Sequence, residues 1–340
     1  MQVSFAVASL VLLVAALAAV PLIVSDYDLA FMINLMCYLV LTVAWALFSG
    51  TTRYVSLATA AFFGIGTYTM AMLVKVLPIY MIFGVALAVG AAIALLVGLV
   101  TLRISGMFFV IFGFGLSEMM RELTVWWEIN KTHTMGRYVF VPFGNTLIYE
   151  HLLGLAVLVF LVGWLVRRSR FGLALLVIGD DETVARQSGI NVSLTKVAMF
   201  VVSSVFMTLV GAVMAPRFGY INPNFAFNPL ISFQVVIMAF LGGMQRLWGP
   251  VLGVVPLIVL SELLQVKFPY WFSILLSLVF IVIVYFLPRG VTGLVEDVWA
   301  LLGRWLFRRG VGWTWLSRGI AGIVVDTWTH LVDRRQAKGS

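Results

Sequence analysis

Apolar residues run along this chain in long blocks separated by short polar stretches. Ten blocks are legible: Phe5–Val24, Leu29–Ser49, Tyr54–Leu77, Pro78–Leu102, Ile104–Met120, Thr146–Val166, Lys196–Ala215, Asn228–Leu241, Pro250–Leu264 and Trp271–Leu287. A helix that crosses a bilayer needs about 20 apolar residues. The pattern therefore predicts an all-α polytopic membrane protein with about ten transmembrane helices. The eighth and ninth blocks are short for a crossing, so they read as tilted, broken or re-entrant segments that lean on protein rather than lipid. The first block has no Lys or Arg ahead of it and outruns a signal-peptide core, so it reads as a retained span.

The polar stretches set orientation. With the loop Arg167–Thr195 placed in the cytoplasm and sides alternating from there, both termini lie inside. The inner side then collects 16 of the 22 basic residues, and the outer side keeps Lys75, Arg121, Lys131, Arg137, Arg217 and Lys267. That asymmetry follows the positive-inside bias. The transmembrane domain closes at residue 290. From 291 to 340 the chain mixes Trp299, Trp305, Trp313, Trp315 and Trp328 with Arg304, Arg308, Arg309 and Arg318. Aromatic and basic residues at this density suit an amphipathic tail lying in the headgroup layer.

Composition agrees with the pattern. Of 340 residues, 62% are apolar and 11% charged, against roughly 50% and 25% in soluble domains. Disordered, collagenous and nucleic-acid-binding classes are excluded, and lipid is the expected surrounding. The net charge of +8 belongs to the cytoplasmic loops and tail. The single cysteine, Cys37, excludes a disulfide framework and a cysteine-based metal site. Three dispersed histidines offer no metal-ligand spacing, so no metal is expected. No phosphate loop, nucleophile elbow or paired carboxylates occur, which argues against an enzyme and against ATP binding by this chain.

Two features remain. Glycines inside apolar blocks (Gly64 and Gly66, Gly113 and Gly115), near Ser56, read either as close helix packing or as a lined pathway. Within Arg167–Thr195, Asp180, Asp181 and Glu182 precede helix formers, and Gly189 follows about two turns later. Acids at the positive end and a glycine stop make a short cytoplasmic helix. It reads either as a handle for a soluble partner or as a solvated linker.

These stretches resemble, in order, the permease subunits of branched-chain amino acid ABC importers of the LivM type. The resemblance covers Leu47 to Leu294. It is carried by Tyr54-Val55-Ser56-Leu57 with Ala61-Phe62-Phe63-Gly64-Ile65-Gly66-Thr67-Tyr68, by Leu102-Arg103-Ile104-Ser105-Gly106, and by Ser169-Arg170-Phe171-Gly172 running through Asp181-Glu182-Thr183-Val184-Ala185 to Gly189-Ile190-Asn191. Leu241-Gly242-Gly243 and Trp248-Gly249-Pro250 complete it.

The resemblance implies one half of a permease heterodimer driven by two cytoplasmic ATPase subunits, which hold the ATP and magnesium, and supplied by a periplasmic substrate-binding protein. Asp181, Glu182, Ala185 and Gly189 would form the ATPase-coupling helix, and the protein would sit in the inner membrane. The family pattern has glycine where this chain has Arg53 and Ala58, a Thr-Leu-Ala run where it has Gly113-Phe114-Gly115, and a more glycine-rich outer segment at Thr132–Gly136. Those departures leave urea or a short amide as the alternative cargo. An ATPase-independent carrier is the rival from a different class.

Overall fold

The computed structural model describes residues 14–22, 24–101, 107–141, 143–271, 274–279 and 281, with the side chains of residues 22 and 107 excepted. The bulk of Phe5–Val24, most of Trp271–Leu287 and the tail 291–340 lie outside the described residues. What remains is almost wholly helical: α1 (Asp26–Thr52), α2 (Thr59–Leu73), α3 (Ile79–Thr101), α4 (Met107–Trp127), α5 (Asn145–Arg168), α6 (Arg170–Asp180), α7 (Glu182–Gln187), α8 (Val192–Phe218), α9 (Pro223–Ala226), α10 (Pro229–Gly242) and α11 (Gly249–Lys267). A π-helical turn, Glu128–Thr132, ends α4. Two short strands, β1 (Arg137–Tyr138) and β2 (Tyr220–Ile221), pair antiparallel with Arg137 opposite Ile221.

Six described segments are long and apolar enough to cross a membrane: α1, α3, α5, α8, α11, and α9 with α10 taken together. That last crossing shows how the short eighth block is built. Asn222 and Asn228 each cap a helix, accepting from Phe225 N at 2.8 Å and Leu230 N at 3.0 Å, and each is followed by proline at the first helical position. Asparagine supplies the capping oxygen, and proline there forfeits no hydrogen bond. The block is therefore an interrupted crossing of 20 residues, Pro223–Gly242.

Burial ranks the helices. In α1 and α8, 72% of the most apolar window is buried, against 33% in α3 and α11. The first two are the axis of the bundle. The latter two turn large side chains such as Leu96, Val100 and Val266 outward, which is stable only against lipid.

Helix α2 packs on α8 at backbone distance. A Cβ on Gly66 would overlap the Thr208 carbonyl, and one on Gly211 would overlap the Phe63 carbonyl. Thr67 Oγ1 uses the approach to donate to Gly211 O at 3.2 Å as well as to Phe63 O at 2.9 Å. Lipid chains are as apolar as the helices, so such packing replaces the hydrophobic drive that water supplies elsewhere.

Candidate functional site

The polar stretch expected to hold one short helix holds two, α6 and the expected α7. α6 and α7 meet at Asp181, whose extended backbone (φ −156, ψ 117) breaks the helical path. Its carboxylate accepts from Thr183 N at 2.6 Å and Val184 N at 3.3 Å, an N-cap that satisfies two donors the helix cannot. Those bonds hold the Asp181 carboxyl below its ordinary pKa. At the far end Gly189 takes φ +78. Gly189 N donates to Arg186 O and Ile190 N to Ala185 O, which closes the helix through a left-handed residue that glycine adopts without strain. Ala185 is fully buried against Ile178 and Val192, so α7 is pinned to α6 and to the start of α8. Asp181, Glu182, Ala185 and Gly189 are thus one unit.

Glu182 turns inward rather than to solvent. Its Oε1 accepts from Lys196 Nζ at 2.6 Å and from Tyr54 OH at 2.5 Å, and Oε2 lies 3.5 Å from Arg186. The Lys196 side chain is 3% exposed and that of Glu182 24%. The Lys196 ammonium also lies 4.2 Å from the centre of the Tyr54 ring, an attraction to its negative face. Burial pushes the Glu182 carboxyl up. The hydrogen bonds from Lys196 and Tyr54 and the positive charges of Lys196 and Arg186 outweigh that and hold it below its ordinary range. The face of α7 left to solvent is Thr183, Val184, Arg186 and Gln187.

Tyr54 opens the least regular part of the bundle. α1 ends at Arg53, which takes the left-handed conformation (φ 59) and reaches Asp180 with an ion pair of 2.6 Å. Glycine is the residue that adopts this conformation without strain. From Arg53 to Leu57 the chain is unwound, and α2 begins only at Thr59. Its backbone polar groups are re-satisfied inside the protein. Trp45 Nε1 donates to Ser56 O at 2.7 Å, Ser232 Oγ donates to Leu57 O at 2.8 Å, and Ser56 Oγ accepts from Ala58 N at 3.3 Å. Ser232 Oγ also accepts from Ala60 N at 2.8 Å. Non-helical backbone persists at membrane depth only under such cover. Gly113 completes it, since a Cβ there would sit 3.0 Å from Leu57 N. A chain of contacts therefore runs from α7 through Glu182 and Tyr54 into the unwound segment that leads to α2.

Among the glycines and Ser56 read as pathway or packing, Ser56 and Gly113 meet at the unwound segment. Gly64 packs on the Phe227 ring and Gly66 on the Thr208 backbone, whereas Gly115 has no neighbour near its absent Cβ. Tyr54, Lys196 and Ser232 carry roles that no sequence spacing announces. The signal available was a lysine at the head of an apolar block. Glu128, fully buried, was missed because it lies past the end of the fifth block, in the turn that follows a helix ending seven residues beyond that block (Trp127 against Met120).

The lowered carboxyls fix the sign of a pH effect. A depressed folded pKa contributes stability that is complete above the ordinary carboxylate range and is lost as pH falls through the lowered value. Amide exchange across residues 182–190 is expected to stay slow at neutral and mildly acid pH and to accelerate only below the ordinary carboxylate range, apart from its intrinsic pH dependence. Protection lost already near pH 6 would contradict this.

A bundle with six segments long and apolar enough to cross a membrane, tied to a capped helix at one end, defines a polytopic membrane protein. The chain belongs to the family of permease components of branched-chain amino acid transport systems, whose sequence model matches residues 28–284. It is 25% identical over 323 residues to the high-affinity branched-chain amino acid transport system permease protein LivM of Escherichia coli strain K12, covering 85% of this chain and 74% of that one. LivM of Salmonella typhimurium is 24% identical over 308 residues, covering 79% and 71%. The ribose import permease RbsC of Haemophilus influenzae is 22% identical over 205 residues, covering 55% and 61%. No solved structure matches the chain. The chain is accordingly a multi-pass inner-membrane permease subunit of the LivM type and a transport component rather than a catalyst.

Proposed function

We propose that the chain is one permease half of an ATP-driven importer that carries branched aliphatic amino acids inward across the inner membrane. A second homologous permease subunit, two cytoplasmic ATPase subunits holding ATP and magnesium, and a periplasmic substrate-binding protein complete the machine. Both termini face the cytoplasm. With α2, α4 and the apolar runs Phe5–Val24 and Trp271–Leu287 added to the six, the crossings come to about ten, and the aromatic and basic composition of residues 291–340 suits a lipid surface.

The observation that carries the reading is the bond from Glu182 of α7 to Tyr54 at the mouth of the unwound segment. A soluble partner docked on Thr183, Val184 and Gln187 moves α7 as a rigid piece, and Tyr54 passes the displacement to the backbone of residues 54–58. ATP binding then shifts the population between outward- and inward-open states. Coverage favours a branched-chain cargo, since the LivM relatives match most of the chain and the ribose permease about half of it. The altered outer segment Thr132–Gly136 keeps a urea or amide cargo as the second reading.

The test is reconstitution. The chain alone in liposomes is expected to move no leucine under a proton or sodium gradient. With its ATPase, its partner permease and the binding protein, it is expected to accumulate leucine when ATP is supplied. Gradient-driven uptake by the chain alone would establish a self-sufficient carrier and overturn the reading.

A further inference from the structure

Helix α8 spans 27 residues, so the end of the bundle opposite α7 lies about 40 Å away along it. A buried charge pair sits there that coupling to the ATPase does not use. Glu128, in the π-helical turn after α4, has a fully buried side chain, and Arg137, on β1, is 26% exposed. Their closest approach is 3.4 Å, from Arg137 Nε to Glu128 Oε1, and those two atoms form no hydrogen bond. A formed charge-assisted bond would be about 2.7–2.9 Å. Glu128 Oε2 accepts from Gly136 N at 2.8 Å, while Oε1 makes no hydrogen bond among the described residues. Tyr68, on α2, brings a third buried group that faces Glu128, and its hydroxyl closes no hydrogen bond of normal geometry among the described residues. Its ring stacks on Phe227 at 5.7 Å.

One desolvated anion, one cation and an orphan hydroxyl beside an aromatic wall are a costly arrangement to keep for packing alone, because a buried pair recovers its desolvation only with full hydrogen bonding. The set matches a solute that carries both charges on adjacent atoms and an apolar branch. We propose that Glu128, Arg137 and Tyr68 bind the charged end of a zwitterionic α-amino acid at the outer end of the permease. The ammonium goes to Glu128, the carboxylate goes to Arg137 and the Tyr68 hydroxyl, and the aliphatic side chain lies against Phe227. Entry of the zwitterion exchanges one poorly formed ion pair for two hydrogen-bonded ones. Urea, an amide or a sugar brings no charge to either group and leaves the pair closed. Tyr68 lies nine residues beyond Thr59 on α2, about 14 Å along the helix, so an occupied site bears directly on the element that begins at the unwound segment. The inference rests on the amino acid permease reading and names the residues that select that class.

The test uses the complete importer in proteoliposomes with radiolabelled leucine, comparing Glu128→Gln, Arg137→Gln, the double variant and Tyr68→Phe. Each single charge removal is expected to lower leucine uptake at least tenfold through a raised KM, with Tyr68→Phe milder. The double variant is expected to stay as weak as the singles. It leaves no unpaired charge, so it is also the variant read if a single one fails to assemble. 4-Methylpentanoate, which lacks the ammonium, is expected to compete better in Glu128→Gln than in the unaltered importer. Recovery of leucine uptake in the double variant would mean that the two charges serve only each other, and would sink this site while leaving the amino acid reading intact. Uptake confined to uncharged solutes by the unaltered importer would sink both.

Discussion

Glu182→Ala is expected to abolish ATP-driven uptake while the protein still inserts and its partner subunits still hydrolyse ATP. The reason lies in the group left behind. Removing one member of a buried, hydrogen-bonded charge pair costs about 3–5 kcal/mol when the survivor cannot reach water. Here the survivor is Lys196, whose side chain is 3% exposed and keeps only the Tyr54 ring. Lys196→Met leaves Glu182, which is 24% exposed and retains Tyr54 and Arg186. Its cost should fall to about 1–2 kcal/mol, and uptake should be reduced rather than lost. The double variant removes both charges and is expected to regain thermal stability over Glu182→Ala without regaining uptake, because the tie from α7 to Tyr54 is still cut. The measurements are uptake and ATP hydrolysis on the same proteoliposomes, with melting of the purified protein. Uptake unchanged in Glu182→Ala would remove α7 from the transport cycle.

Gly66→Ala and Gly211→Ala are expected to lower the melting temperature in detergent by several degrees each. One methyl at either position meets carbonyl backbone of the opposite helix rather than a side chain that can rotate away. The strain of such overpacking is about 1–3 kcal/mol, and parting the helices also stretches the bond from Thr67 to Gly211. Gly84→Ala and Gly115→Ala are the controls. A Cβ at either meets nothing within 4 Å among the described residues, and alanine is the better helix former by about 1 kcal/mol. Those two should melt at or above the unaltered protein. Equal melting for all four would mean that α2 and α8 do not pack at backbone distance.

Most of the helices were legible because a bilayer imposes one rule on every crossing. The second, fourth, sixth and seventh blocks reappear as α1, α3, α5 and α8; α1, α5 and α8 run a few residues past their blocks at each end, and α3 stops one residue inside its block at each end. Caps such as Ser25 and Asn191, which a count of apolar residues passes over, stand just ahead of α1 and α8. Glu182 stood out in the sequence as an acid at a helix start, but the structure turns it inward. Acids heading a helix predict a favourable dipole, and nothing in their spacing says that one of them folds back onto a lysine fourteen positions later. Tyr54–Leu77 counted as a plain crossing, since five unwound residues that are themselves mostly apolar leave no mark in hydropathy. Glu128 looked like loop because one carboxylate ends an apolar count whether it is buried or solvated.

By itself the sequence determined that the chain lives in lipid, roughly where it crosses, and that a capped helix stands at Asp181–Gly189. Each of these follows from local chemistry: the length of an apolar run, an acid at a helix start, a glycine at its stop. Only the tertiary structure decided which polar side chains face one another. Glu182 with Tyr54 and Lys196, Ser232 with the unwound backbone, and Glu128 with Arg137 and Tyr68 are brought together by packing on α8, α10 and the turn after α4. The physical reason is that water is absent there, so each polar group must find a partner within the protein, and only the fold determines which one.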